Sequence, residues 1–520
     1  MSFEQLALPL GGASPPAEPT RIPRTRRVFV NRNLKLNGID WVGFDMDYTL
    51  AIYNQTEMDS LSIQGTITKL AARGYPDDIL RKIRYPVHFP IRGLLIDKRY
   101  GHVLKMDRFK VVQKGYHGLR ELTKEDLRAL YQQRKIRPNT ARYHWIDTLY
   151  ALSEATLYAG IVEAFEARDV EVDFARLFTD IRECIDEAHR DGTILDAVLS
   201  DLPRYVARDP SLAQTLHKFR SAGKKLFLLT NSRWPFTEKM MTYLLGGAMP
   251  EYPSFRHYFD VLVVAAQKPA FFQERRPLLV RDGDTLRPAG PQLERGAIYE
   301  GGNLLDFEKF LNIPGDRVLY VGDHIYGDIL RSKKESAWRT AMIIQEMEAE
   351  VLAHESCREE HLACAVLEAR REEAEDQLRY YQQRYKDLTR RIEEEQQRRS
   401  STGAAGNGAE DGAAAAANAG GSGFTGSFHE AERGRTKRTV ERIRGQLRAV
   451  DAELARIERE IDRRFHPYWG SLLKETNETS SFGDQVEEYA CIYTSRVSNL
   501  LAYSPLQTFR SPRDLMPHEL

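Results

Sequence analysis

Two aspartates, Asp45 and Asp47, stand two residues apart in "FDMDYTL", directly after the apolar run "WVGF". Like charges that close repel, and burying either one unpaired costs roughly several kcal/mol. A divalent cation removes the difficulty. Mg²⁺ takes one or two carboxylates, waters and phosphate oxygens, and it offsets the repulsion. Further along stand Thr230 in "LLTNS", Lys268 in "AAQKP", and Asp323 with Asp328 in "VGDHIYGD". This set suits phosphoryl transfer. An aspartate carboxylate can attack phosphorus, which makes Asp45 the candidate nucleophile. Asp47 can protonate the leaving oxygen and then activate water. The Thr230 hydroxyl and the compact charge of Lys268 suit the equatorial phosphoryl oxygens. Asp45 and Asp323 can share the Mg²⁺, with a backbone carbonyl near Asp47 as a further ligand. Taken singly, each feature is ordinary: an Asp-x-Asp is commonly structural, and a lysine after a strand commonly lies on the surface. Their order and their common placement at strand ends argue for a site.

That placement depends on four apolar runs, "WVGFDMD" (41–47), "KLFLLTN" (225–231), "VLVVAAQK" (261–268) and "RVLYVGD" (317–323). None alternates with period 2, and each ends in a polar residue, as expected of parallel strands covered on both faces. "RWPFTEKMMTYLLGG" (233–247) reads as a crossover helix ended by glycines. Strands alternating with helices predict a doubly wound α/β sheet, whose ligands bind beyond the carboxyl ends of the strands. The core is expected over 25–59 and 206–345. Residues 60–205 are too many for one crossover and rich in helical patterns, so they predict an inserted, mostly helical cap.

The C-terminal third differs in character. Ala374, Leu378, Tyr381, Tyr385, Leu388 and Ile392 form one heptad stripe. Val440, Ile443, Leu447, Val450, Leu454, Ile457 and Ile461 form another. Together they predict an antiparallel helical hairpin over 346–466, with a low-complexity loop at 400–427. Residues 467–520 read as a docking segment: their stretch "YACIYTSRVSNLLAYSPLQTF" is aromatic and apolar and should dock somewhere. Residues 1–24, rich in Pro, Ala and Gly, read as a disordered arm.

Composition narrows the class. Lys+Arg 75 balances Asp+Glu 75, so no global field favours nucleic acid. The four cysteines show no Cys-x-x-Cys spacing, which fits a reducing cytoplasm. No run approaches the ~18 apolar residues of a membrane helix, and no signal peptide is expected.

The motifs "DMDYTL", "LTNS", "QKP" and "VGDHIYGD" resemble the four motifs of the haloacid dehalogenase superfamily. More narrowly, "RVFVNRNLKLNGIDWVGFDMDYTLAIYN", "TNSRWPFTEKMMTYL" and "LYVGDHIYGDILRSKK" resemble cytosolic purine 5'-nucleotidases and their bacterial relatives. The likeness runs from about residue 26 to 345 and returns in "LLAYSPLQTFRSPRDLMPHE". The resemblance implies Asp45 as nucleophile and Asp47 as acid/base. It implies Mg²⁺ on Asp45, the Asp47 carbonyl and Asp323, with Asp328 supporting that shell. Thr230, Asn231 and Lys268 fall to phosphate. In the cap the resemblance assigns the nucleoside to Tyr150, which stacks on the base, and to Arg182, Asp186 and His189 of "DIRECIDEAHRDG". At helical spacing those last three share one face. A family lysine is Leu195 here, which bears on base specificity. Effector sites of the family lie near Tyr326 and Arg137. The expected partners are a nucleoside monophosphate, a nucleotide effector and further copies of the chain, with no nucleic acid and no membrane.

Three readings follow: a Mg²⁺-dependent 5'-nucleotidase that prefers IMP and GMP, a phosphatase of another phosphomonoester such as a sugar phosphate, or a nucleotide-sensing scaffold built on the hairpin.

Overall fold

The computed structural model describes residues 22–132, 136–290, 292–312, 314–404, 416–475 and 477–513. The arm expected at 1–24 falls on residues 1–21, outside that set, followed by a short turn at Arg24–Arg26. The chain forms two compact units: one from residues up to Leu352 and from Ser471 onward, the other Ala353–Gly470.

In the first unit the four apolar runs become four adjacent parallel strands, in the order Val318–Gly322, Trp41–Phe44, Lys225–Leu229 and Val261–Val264. Nearly every residue in them is buried, which is why their sequences do not alternate. Ile298–Gly301 extends the parallel sheet on one side, and Arg339–Ile343 and Ile492–Thr494 extend it on the other. Antiparallel strands close both edges, Phe29–Val30 at one and the hairpin Leu278–Asp282 with Thr285–Pro288 at the other. The result is a ten-stranded α/β sheet. The "CIYTS" segment therefore docks as a strand of the main sheet, and Thr508–Phe509 pairs with Leu34–Lys35.

One sheet face carries Trp41, Phe227, Leu229, Val261, Val263 and Tyr320. They pack on Phe271 and Phe272, on Leu304, Phe307 and Leu311 of the Leu304–Leu311 helix, and on Trp338. A Cβ on Gly43 would lie 2.0 Å from the Phe227 ring, so only glycine lets that ring cross the neighbouring strand. The crossover helix forms over Trp234–Leu245 with Pro235 in its first turn, and Gly246 and Gly247 follow it.

The insertion springs from a two-stranded stem in which Ile52–Tyr53 pairs antiparallel with Val206–Ala207. Its helices include Gln55–Ala72, Leu152–Glu166, Phe174–Arg190 and Leu195–Ser200. Between them lies a five-stranded antiparallel sheet that the helical patterns did not suggest, in the order Arg120–Glu121, Val112–His117, His102–Met106, Leu94–Asp97 and Tyr143–Ile146. Leu94–Asp97 and His102–Met106 are buried throughout, so period 2 is absent from them too.

The second unit contains the long helices Arg358–Ala404 and Ala416–Phe465. They run antiparallel: Arg464 pairs with Glu360 at 2.5 Å at one end, and His429 with Glu395 at 3.0 Å toward the other. Leu388, Ile392, Val440, Ile443, Leu454, Ile457 and Ile461 of the two stripes are buried. The low-complexity stretch, expected as a loop over 400–427, is helical up to Ala404 and again from Ala416. Residues 405–415 lie outside the described set. Among the described residues no helix is long and apolar enough to cross a membrane.

Candidate active site

Asp45, Thr230 and Asp323 each follow directly on the carboxyl end of a core strand, and Asp47, Lys268 and Asp328 lie in the loops beyond those ends. The Asp45 N–H donates to the Val321 carbonyl at 2.9 Å, and the Thr230 N–H to the Val263 carbonyl at 3.0 Å, so the sheet register fixes both backbones. After Asp45 the chain turns sharply. The Met46 carbonyl accepts from Leu50 and Ala51 at 3.0 and 2.9 Å, and Tyr48 takes a left-handed φ of 55°. A bulky side chain in that region is strained, a feature that clusters at functional sites.

Lys268 lies at the centre of the site. It is 8% exposed, and its Nζ lies 2.9 Å from Asp45 Oδ1, 2.6 Å from Asp328 Oδ1 and 2.9 Å from the Tyr320 hydroxyl. Burial draws its pKa down, but Asp328 and Asp45 outweigh burial and hold the ammonium above its ordinary value. Asn231 positions Lys268: its Nδ2 donates to the Lys268 carbonyl at 2.9 Å and its Oδ1 accepts the Lys268 N–H at 2.6 Å. The Asn231 side chain is thus engaged with the Lys268 backbone. Thr230 is fully buried, and its Oγ1 accepts the Ser232 N–H at 3.1 Å.

Burial raises the pKa of Asp45 well above the carboxylate range, with Lys268 opposing. Asp47 is also raised by burial, opposed by hydroxyl donors. The Tyr53 hydroxyl donates to Asp47 Oδ1 and the Ser232 hydroxyl to Oδ2, both at 2.6 Å. The Asp47 carboxylate is thereby engaged, which leaves its backbone carbonyl for the metal role expected of it. The Asp323 carboxyl is pushed up to about 7 by burial and then by Asp328, with Arg92 and His324 opposing. Asp328 is fastened by Lys268, by the Tyr320 hydroxyl at 3.2 Å and by the His324 N–H at 3.3 Å. A Cβ on Gly322 would meet Asp328 at 2.6 Å, so this glycine admits Asp328 over the strand end.

Carboxylate oxygens of Asp45, Asp323 and Asp328 lie within 4.8 Å of one another, all buried. The Asp323 carboxylate accepts no hydrogen bond among the described residues. Three buried carboxylates this close, two of them paired with the Lys268 ammonium, form a donor set that fits a hard divalent cation.

The cap residues divide. The Tyr150 ring meets Tyr48 edge-on at 4.8 Å and His189 at 5.7 Å. His189 Nδ1 bonds the Ile185 carbonyl at 2.9 Å, and its Nε2 is buried without a hydrogen-bond partner. Arg182 pairs with Glu154 at 3.5 Å rather than with Asp186, which is exposed on the same helix. Burial pushes the Glu154 carboxyl up to about 7, opposed by Arg182. Leu195 opens its own short helix. The Tyr326 hydroxyl lies 3.5 Å from Gln485 Nε2, and Arg137 is exposed in the cap.

Sequence reasoning missed Tyr53, Ser232, Glu154 and Arg92. Only Arg92 left a mark, as a lone cation in the run "HFPIRGLLI".

The model of the 5' nucleotidase family matches residues 28–520. The chain is 27% identical over 514 residues to a 5'-nucleotidase domain-containing protein of Dictyostelium discoideum, covering 95% of this chain and 74% of that one. It is 32% identical over 351 residues to 5'-nucleotidase domain-containing protein 2 of Homo sapiens, covering 65% and 66%. Solved structures it is similar to include CbbY from Rhodobacter sphaeroides in complex with phosphate (14% identity, 59% of this chain and 86% of that one, TM-score 0.23). Another is L-2-haloacid dehalogenase from Xanthobacter autotrophicus (13% identity, 59% and 78%, TM-score 0.19). At these scores neither structure carries an argument about this chain. The match across nearly the whole sequence does: the chain belongs to the 5' nucleotidase family.

Proposed function

We propose that this phosphomonoester hydrolase of 5'-nucleotidase type acts on purine nucleoside monophosphates, with IMP and GMP preferred, and uses Mg²⁺. Asp45 attacks phosphorus and forms an aspartyl-phosphate. Asp47 donates a proton to the leaving 5'-oxygen, then takes one from the attacking water. Lys268 and the Thr230 hydroxyl stabilise charge on the equatorial oxygens. Mg²⁺ would be held by Asp45, the Asp47 carbonyl and Asp323, with Asp328 behind them, and would supply Lewis-acid stabilisation of the phosphoryl group.

The observation that carries the nucleotide reading is the Tyr150 ring. It comes from the insertion, lies 6.3 Å from the ring of Tyr53, the residue bonded to Asp47, and meets His189 edge-on at 5.7 Å, an aromatic cluster beside the proposed acid/base. Arg182 and Glu154 offer donors and an acceptor from neighbouring helices, which suits the mixed polar edge of a 6-oxopurine. A pyrimidine leaves part of that set unpaired, at about 1–3 kcal/mol per buried group.

Phosphate release from IMP, GMP, AMP, CMP, UMP and a sugar phosphate, with and without Mg²⁺, tests the proposal. Purine preference and Mg²⁺ dependence are expected, and Arg182→Ala should lower the GMP-to-UMP ratio of kcat/KM. A sugar phosphate or UMP turned over faster than GMP would defeat it.

A further inference from the structure

Arg92 lies just before the Leu94–Asp97 strand of the insertion and is 1% exposed. Burying a guanidinium demands that its charge and its planar fork be met. Here they are met on three sides. Nε and Nη2 grip Glu346 through Oε1 and Oε2 at 2.8 and 2.7 Å. Nη1 donates to the backbone carbonyl of Asp323 at 2.9 Å. The Cζ atom lies 5.0 Å from the ring centroid of Phe482. The adjoining Gly93 holds this geometry, because a Cβ there would meet Phe482 at 2.5 Å.

The bond to Asp323 matters because it holds the backbone from which that carboxylate projects. Its carboxylate accepts no hydrogen bond among the described residues, so its aim follows from its backbone. That backbone leaves the Val318–Gly322 strand on one side and meets Arg92 at its own carbonyl. Gln345, next to Glu346, donates to the Tyr48 carbonyl at 3.1 Å in the turn that follows Asp47. One dipeptide, Gln345-Glu346, thus braces both loops that carry the metal carboxylates. It braces one directly and the other through Arg92.

We propose that Arg92 is a positioning residue that sets the affinity of the Asp45–Asp323 site for Mg²⁺ by fixing the Asp323 backbone. This rests on the metal reading given under the proposed function. Groups one step outside the ligands orient them, and their loss weakens metal binding by roughly 10–100-fold. Lysine cannot replace arginine here, since a compact ammonium cannot hold both carboxylate oxygens and a carbonyl in one plane.

Mg²⁺ titration of the full chain by calorimetry tests this, with Arg92→Lys, Glu346→Gln and Asp323→Asn beside the wild type. Asp323→Asn should abolish binding. Arg92→Lys should weaken it by roughly 10–100-fold, and Glu346→Gln by a smaller factor. Glu346→Gln leaves Arg92 in place and serves if the lysine variant does not fold. A folded Arg92→Lys that binds Mg²⁺ as tightly as the wild type overturns the role of Arg92 while leaving the metal reading intact. So does an unchanged Glu346→Gln. A wild type that binds no Mg²⁺ overturns the metal reading and this inference with it.

Discussion

Ser232 donates its hydroxyl to Asp47 at 2.6 Å across 185 residues of sequence. With the Tyr53 hydroxyl on the other oxygen, it fixes the plane of the carboxyl proposed as the proton donor. Proton transfer requires the acid within about 2.6–3.2 Å of the leaving oxygen, so a carboxyl free to rotate is a poorer catalyst. Ser232→Ala is expected to lower kcat by about ten-fold with little change in KM, well short of the roughly 10²–10⁴-fold that the acid itself supplies. Steady-state kinetics on the preferred monophosphate measures the split. A rise in KM at constant kcat would place Ser232 in substrate binding instead.

The two aspartates of the opening motif should separate cleanly. Asp45→Asn removes a covalent nucleophile that no neighbour replaces, and turnover should fall by orders of magnitude. Asp47→Asn keeps the backbone carbonyl, so it should lose proton transfer yet retain Mg²⁺ binding close to wild type. Calorimetric titration alongside kinetics distinguishes them. Collapse of Mg²⁺ affinity in Asp47→Asn, matching that of Asp323→Asn, would refute the division of roles.

Lys268 is the cation that permits Asp45 and Asp328 to lie so close. Lys268→Met leaves two buried carboxylates facing each other, and removing one partner of such a cluster costs roughly 3–5 kcal/mol. The melting temperature should fall, and Mg²⁺ should recover part of the loss by supplying positive charge to the same oxygens. Thermal denaturation with and without Mg²⁺ reads this directly. Equal Tm values for the variant in both conditions would count against the carboxylates forming a cation site.

Asp59 is 2% exposed, and burial pushes its carboxyl up to about 7, with Gln55 opposing at 2.9 Å. In the unfolded chain it titrates near its ordinary value of about 3.9. Below that value the group is neutral in both states and its contribution to stability is complete. Between about 4 and about 7 the unfolded chain ionises while the folded chain resists, so stability declines as pH rises through this window. Asp59→Asn has no proton to lose. Its Tm should therefore gain on the wild type as pH rises from 4 to 7.5, whereas parallel Tm curves would show that Asp59 ionises freely in the fold.

The candidate site residues at the strand ends were legible because a buried parallel strand is an apolar run, and its first polar residue marks the carboxyl end. Asp45, Thr230 and Asp323 each announce themselves that way, Lys268 comes one residue after the first polar residue, Gln267, and the sheet order brings them to one rim. The same burial hid the five-stranded sheet of the insertion. Strands such as Leu94–Asp97 and His102–Met106 are covered on both faces and show no alternation, so helical periodicity around them dominated the reading.

What the sequence by itself determined is the set of candidate site residues and the edge of the sheet on which they meet, since both follow from local apolar patterning. What only the tertiary structure decided is how those groups are held. Ser232 on Asp47, Asn231 on the Lys268 backbone, Glu154 rather than Asp186 on Arg182, and Arg92 between Glu346 and the Asp323 carbonyl are all contacts between distant segments. Arg92 and Glu346 lie 254 residues apart. No spacing rule links such residues, because a hydrogen bond depends on where two backbones finally lie, and that is settled only when the sheet and the insertion pack together.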